Sequence, residues 1–127
     1  MPNRAVIKTD LAPAAIGSYS QAVKVHNTVY LSGQIPLDPQ TMEMVSSDFT
    51  EQARQAFRNL EAVCVAANGS LSRVVKLNLY LTDLKNFSAV NEVMKEFFEE
   101  PFPARAAVGV NELPKGALFE VEGVLVI

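Results

Sequence analysis

Two stretches of helical periodicity, separated by one of two-residue alternation, limit this chain to helices layered against a sheet. From about 48 to 67, Phe49, Ala53, Ala56, Phe57, Leu60, Cys64 and Ala67 recur at helical spacing and form one apolar stripe. Asp48, with Glu51 three residues on, resembles a capping box, and Gly69 suits the C-terminal stop. Residues 73–82 then alternate, Val75, Leu77, Leu79 and Leu81 against Lys76, Asn78 and Tyr80, as a strand does. A second helix is predicted over about 86–98, with Phe87, Val90, Met94 and Phe98 on one face. Asn91 falls inside that apolar stripe.

The flanking segments read as strands. Residues 4–8 look like a short edge strand, followed by a Pro/Ala/Gly loop over 11–18. Residues 19–25 and 28–33 form a predicted pair around a turn at His26-Asn27. Pro36-Leu-Asp-Pro-Gln-Thr is turn chemistry, and the last two strands begin near 105 and 118. This order suits an α+β fold, with helices covering one face of a mixed sheet. The second face then needs a cover. Strand 105–110 places Arg105, Ala107 and Gly109 on one side and Ala106, Val108 and Val110 on the other. Such small side chains permit close approach, so an oligomer is expected.

Composition narrows the function. With 127 residues and no repeat or linker, one domain is expected. A net charge of −3 gives no basic excess, which argues against nucleic acid as a partner. The single Cys64 cannot form an internal disulfide and fits a reducing compartment. The opening Met-Pro-Asn-Arg-Ala-Val-Ile-Lys lacks the apolar run of a signal peptide, and no stretch is long enough to span a bilayer. A cytoplasmic, soluble protein without membrane partners is expected. No His/Cys cluster offers a metal site, and Gly33 lacks the glycine-rich context of a nucleotide loop, so no cofactor is expected.

Arg105 is the residue with most chemical content. It stands in Pro101-Phe-Pro-Ala-Arg-Ala-Ala, at the mouth of a small-residue strand. A guanidinium stays charged, and its planar fork matches a carboxylate bidentately. Position alone also allows a surface arginine paired with an acidic side chain. Glu120 sits in the last strand, where it shares an alternating face with Glu122 and reads equally as a solvated strand residue.

Four stretches together resemble the RidA/YjgF family of enamine/imine deaminases. They are Ala-Pro-Ala-Ala-Ile-Gly-Ser-Tyr-Ser-Gln-Ala (12–22), Val-Tyr-Leu-Ser-Gly-Gln-Ile-Pro (29–36), Phe-Ser-Ala-Val-Asn (87–91), and Phe-Pro-Ala-Arg-Ala-Ala through Leu-Pro-Lys-Gly to Phe-Glu-Val-Glu. The likeness covers essentially the whole chain. It implies a chorismate-mutase-like mixed sheet of about six strands with two helices on one face, assembled as a homotrimer with a ligand cleft at each interface. It also implies hydrolysis of reactive 2-imino acids, such as 2-iminobutanoate and 2-iminopropanoate, to 2-oxo acids and ammonia.

By position, Arg105 matches the family's carboxylate-binding arginine and Glu120 its acid/base glutamate. Tyr19 matches the aromatic residue over the ligand, Ser32 and Gly33 the loop facing it, and Asn91 a polar helix residue lining the cleft. Read without the family, Tyr19 is also a packed aromatic, Ser32-Gly33 a strand-end bulge, and Asn91 a partner for backbone or a neighbouring subunit. Two departures are Ala107, where some relatives carry cysteine, and Ser18, where many carry proline.

Imine hydrolysis asks for a held carboxylate, a delivered water and mobile protons, with no covalent nucleophile. A rival reading is a non-catalytic module that binds small carboxylates such as 2-oxo acids through the same arginine. Relatives described as ribonucleases suggest a third, but the acidic balance provides no basic surface for RNA.

Overall fold

The structure, a computed structural model, describes residues 4–127. The opening residues 1–3, part of the segment judged against a signal peptide, lie outside the described residues. Strands β1 (Arg4–Ile7), β2 (Ala22–Val25) and β3 (Thr28–Gln34) are followed by helix α1 (Phe49–Ala66) and strand β4 (Val74–Leu81). Helix α2 (Phe87–Phe97) and strands β5 (Ala104–Gly109) and β6 (Phe119–Val126) complete the order. One six-stranded sheet runs β1-β2-β3-β6-β4-β5. Only the β4–β5 pair is parallel, so the sheet is mixed and the α+β expectation holds.

The α1 stripe is the core. Phe49, Ala53, Ala56, Phe57, Leu60 and Cys64 are all buried, against β6, β3 and α2. Phe57 stacks on Phe97 with ring centroids 5.6 Å apart and meets Phe98 edge-on at 5.8 Å. Its third neighbour, Phe119, brings β6 into the same cluster. Removing a fully buried ring of this kind costs about 3–5 kcal/mol.

The helix ends differ from expectation in detail. Asp48 caps α1 by accepting the Glu51 N–H at 3.1 Å, but Glu51 does not reciprocate. Its carboxylate pairs with Arg54, and the Asp48 N–H donates to Ser46 Oγ at 2.9 Å. At the other end, Asn68 takes the left-handed turn (φ 65°), not Gly69. Gly69 is required for space: a Cβ there would lie 2.8 Å from Ile127 Cγ2. The strand predicted from 19 begins only at Ala22, because Gln21 turns its side chain back into the preceding loop. Phe98 is buried as predicted, yet it lies beyond α2 in extended backbone.

Alternation along β4 and β6 sends Leu77, Leu79, Phe119 and Val121 under the helices. The opposite face carries a row that crosses the sheet: Val6, Val23, Tyr30, Val124, Lys76 and Ala104. Among the described residues no helix covers it, and Val6 and Tyr30 are 65% and 55% exposed. Strand β5 is exposed along its whole length. Among the described residues, no helix is long and apolar enough to cross a membrane.

Candidate active site

Glu120 owes its place to an irregularity in the sheet. Leu31 pairs with Gly123 and Gln34 with Val121, so Ser32 and Gly33 together oppose Glu122. Two residues against one is a β-bulge, which bends β3 and re-aims its side chains. The bulge carries Gly33 over Glu120: a Cβ on residue 33 would run into Glu120 Oε2 and lie 2.9 Å from Cδ. Only glycine leaves room for that carboxylate. On the other side of β6, Tyr80 of β4 stands directly across from Glu120, and Asn78 across from Glu122.

Ser32, Gly33, Glu120 and Glu122 border a hollow of about 680 Å³ on the helix-free face, with Tyr19 and Gln21 also among its walls. Apolar Ile16, Ile35, Leu37 and Met42 line it too. Glu120 is half-buried, and its carboxyl is pushed up, first by burial and then by the Glu122 charge. The Tyr80 hydroxyl is pushed up as well, by partial burial and then by both glutamates. Glu122 Oε2 accepts from Asn78 Nδ2 at 3.2 Å.

The walls are fastened by buried amides. Gln21 accepts the Thr9 N–H at 2.7 Å and donates to the carbonyls of Thr9 and Pro13 at 3.0 and 2.8 Å. Ser32 Oγ donates to the Ser20 carbonyl at 2.5 Å, so its hydroxyl pins the Tyr19 loop to the bulge. Asn59 of α1 donates to the Leu37 carbonyl at 2.9 Å and holds the far wall. Gln52 accepts the Leu118 N–H at 2.8 Å, which fixes the entry into β6. Tyr19 itself is 54% exposed beside a left-handed Gly17 (φ 118°). Ser18, the departure from proline, is exposed in that bend.

Arg105 lies elsewhere. It pairs across the sheet with Leu77, on the helix side, whereas Glu120 is on the helix-free side. The guanidinium is 4.9 Å from the Phe87 ring centroid, and Nη1 donates to Met94 Sδ at 3.2 Å. It forms no ion pair among the described residues, which removes the pairing with an acidic side chain as an account of its position. Arg105 and Asn91 share a second hollow, of about 510 Å³, with Phe102 and Pro103. A single chain thus brings Tyr19, Ser32, Gly33 and Glu120 together, and Arg105 with Asn91, but does not join the two groups.

Sequence reasoning missed Gln21, Gln52, Asn59, Tyr80 and Lys115. Lys115 of the Leu-Pro-Lys-Gly turn has left-handed backbone (φ 58°), and its Nζ reaches the Met42 carbonyl at 3.4 Å across the hollow's rim. Gln52 and Asn59 stand seven residues apart on the buried face of α1, a signal that was available. Glu122, which the sequence offered only as a neighbour of Glu120 on one strand face, belongs to the hollow. Cys64 lines neither hollow, and burial pushes its thiol up to about 12. No group of three or more His, Cys, Asp or Glu is placed to hold a metal among the described residues.

The family model described as Endoribonuclease L-PSP matches residues 9–127. A Dermatophagoides farinae protein named 2-iminobutanoate/2-iminopropanoate deaminase is 52% identical, over 100% of this chain and 99% of its own. The crystal structure of RidA from an Antarctic Psychrobacter species superposes with a TM-score of 0.94 at 56% identity, covering 97% of this chain and 99% of that one. E. coli TdcF with bound serine gives a TM-score of 0.92 at 41% identity, covering 97% and 98%. With the six-stranded mixed sheet, the bulge at Ser32-Gly33 and a family match that leaves out only the first eight residues, the chain belongs to the RidA/YjgF family.

Proposed function

We propose that this chain is a hydrolytic deaminase that converts reactive 2-imino acids, such as 2-iminobutanoate and 2-iminopropanoate, to 2-oxo acids and ammonia. The observation that carries the reading is the end-to-end likeness to a deaminase of that name. The geometry supplies matching parts: an unneutralised guanidinium in one hollow and a half-buried carboxyl in the other. A small carboxylic acid, serine, occupies the TdcF structure, consistent with an anion-holding site in this family.

Arg105 grips the substrate carboxylate through its two-donor fork, with Asn91 beside it. That fixes the C=N carbon against Glu120, which exchanges protons with the imine nitrogen and the incoming water. Proton transfer of this kind is worth roughly 10²–10⁴-fold in rate. Tyr19 covers the ligand, and the Ser32-Gly33 bulge shapes the floor. Because Arg105 and Glu120 lie on opposite faces of one sheet, each working cleft takes Arg105 and Asn91 from one copy and Glu120 from another. A homotrimer with a cleft at each interface satisfies this, and it covers the helix-free row of Val6, Tyr30 and Val124. We place the protein in the cytoplasm, as one domain acting without a cofactor.

The test generates 2-iminobutanoate with threonine dehydratase and traps the surviving imine with semicarbazide. The wild type is expected to leave less imine to trap, and Arg105→Ala to leave as much as buffer. A wild type no faster than buffer would sink the catalytic reading and favour a carboxylate-binding module.

A further inference from the structure

The neighbours that hold Arg105 carry no charge. Phe87, Asn91 and Met94 share one face of α2, spaced four and then three residues apart. Arg105 meets both ends of that row. Its guanidinium carbon is 4.9 Å from the Phe87 ring centroid, and Nη1 donates to Met94 Sδ at 3.2 Å. Met94 is buried and Phe87 packs against the core, so both hold fixed positions. Arg105 Nε and Nη2 make no hydrogen bond among the described residues.

Acidic side chains are kept from the same place. Glu92 is the one carboxylate among the described residues that line this hollow, and its Oε1 lies 3.2 Å from Lys95 Nζ. A ring face attracts a guanidinium through its quadrupole, and a thioether is a weak acceptor. Neither neutralises the cation, and neither competes strongly with a carboxylate. A resident glutamate would have to be displaced by every substrate. An unsupported arginine would have to give up its rotamer freedom at every binding event.

We propose that Met94 and Phe87 are positioning residues for the reaction: together they fix the Arg105 guanidinium while leaving its charge whole for the substrate carboxylate. The proposal rests on the deaminase reading, in which Arg105 is the anchor, and it states how that anchor is held. The Met94 sulfur takes a proton of Nη1, and the Phe87 ring covers one face of the plane. Nε and Nη2 then present the two parallel donors that a carboxylate accepts. Neither Met94 nor Phe87 touches the reacting atoms. Their contribution is an ordering cost met before the substrate arrives.

The experiment follows the Arg105 Nε–H signal by nitrogen-15 NMR in the full chain, assigned by its loss in Arg105→Ala. In the wild type the Phe87 ring current should displace that proton from the ordinary arginine position. Met94→Leu keeps the side-chain volume and removes the sulfur. The displacement is expected to shrink, and KM for 2-iminobutanoate to rise roughly three- to tenfold, with kcat falling less. Kd for 2-oxobutanoate, an unreactive carboxylate, should rise by the same factor. A purely structural Met94 would lower the melting temperature and leave the displacement, KM and Kd where they were, which overturns the proposal. Should Met94→Leu fail to fold, Phe87→Leu against Phe87→Tyr decides. Loss of the carboxylate grip in the leucine variant alone supports the proposal, and equal Kd values in the two overturn it. The displacement and the 2-oxobutanoate titration need no turnover. An inactive wild type would therefore remove the deaminase reading, whereas unchanged values for Met94→Leu in an active enzyme remove only this proposal.

Discussion

The carboxylate of Glu120 occupies the space in which a side chain on residue 33 would begin. A Cβ built on Gly33 would stand 2.9 Å from Glu120 Cδ, closer than real side chains approach, and a tight 3.3 Å from its Cγ. Gly33→Ala therefore displaces Glu120 without touching it chemically. A misplaced catalytic group costs about 10²-fold in rate, and that loss is expected in kcat/KM from imine trapping. In a Glu120→Ala background the same change should cost almost nothing further. A full additional loss there would assign Gly33 a role apart from making room.

The separation of Arg105 and Glu120 on opposite sheet faces makes a second prediction. Arg105→Ala and Glu120→Ala chains are each expected to be inactive alone. Unfolded together and refolded as a mixture, they should regain deaminase activity, because some clefts then combine an intact arginine with an intact glutamate. Mixtures that stay dead would place both groups in one copy's site.

A third prediction concerns stability and pH. Glu120 holds its proton more tightly folded than unfolded, since burial and Glu122 raise it. Its contribution is thus complete below the ordinary glutamate range and is lost as pH rises through the raised folded value. Glu120→Gln should melt higher than the wild type at neutral pH. The two melting curves should converge below about pH 4, where the carboxyl is protonated in both states. A constant gap at all pH values would mean that ionisation is not the cause.

Gln21 supplies a fourth. Its side chain, 3% exposed, ties Thr9 and Pro13 to the start of β2. Gln21→Ala strands those backbone groups and is expected to cost about 1–3 kcal/mol in denaturant unfolding. Amide exchange at Thr9 should quicken before the core amides respond. Uniform quickening across the sheet would instead indicate a global loss.

The elements were legible in the sequence because periodicity is local: the α1 stripe became the buried stripe, and the β4 alternation became its two faces from Lys76 to Leu81. Val75, grouped with the leucines, is instead exposed where the pairing with β6 slips between Val74 and Lys76. What periodicity could not supply was pairing. That Tyr80 faces Glu120, or that Ser32-Gly33 bulges against Glu122, follows from strands distant in the chain that meet through β6. Buried amides were missed for a related reason. Gln52 and Asn59 read as polar gaps in a stripe until the loops they fasten are in place. The motif residues of the site were visible as types in order, but their division between two hollows was not, because strand faces depend on register.

The strand order also bears on assembly of the fold itself. β6, which follows the other five strands in sequence, is the seam between β1-β2-β3 and β4-β5. Until it threads between them, the two flaps have no shared ladder, and Phe57 lacks the ring that β6 brings. Such long-range closure is slow compared with local helix formation. The nascent polypeptide should consequently remain protease-sensitive until this seam has cleared the ribosome, then become resistant in one cooperative step.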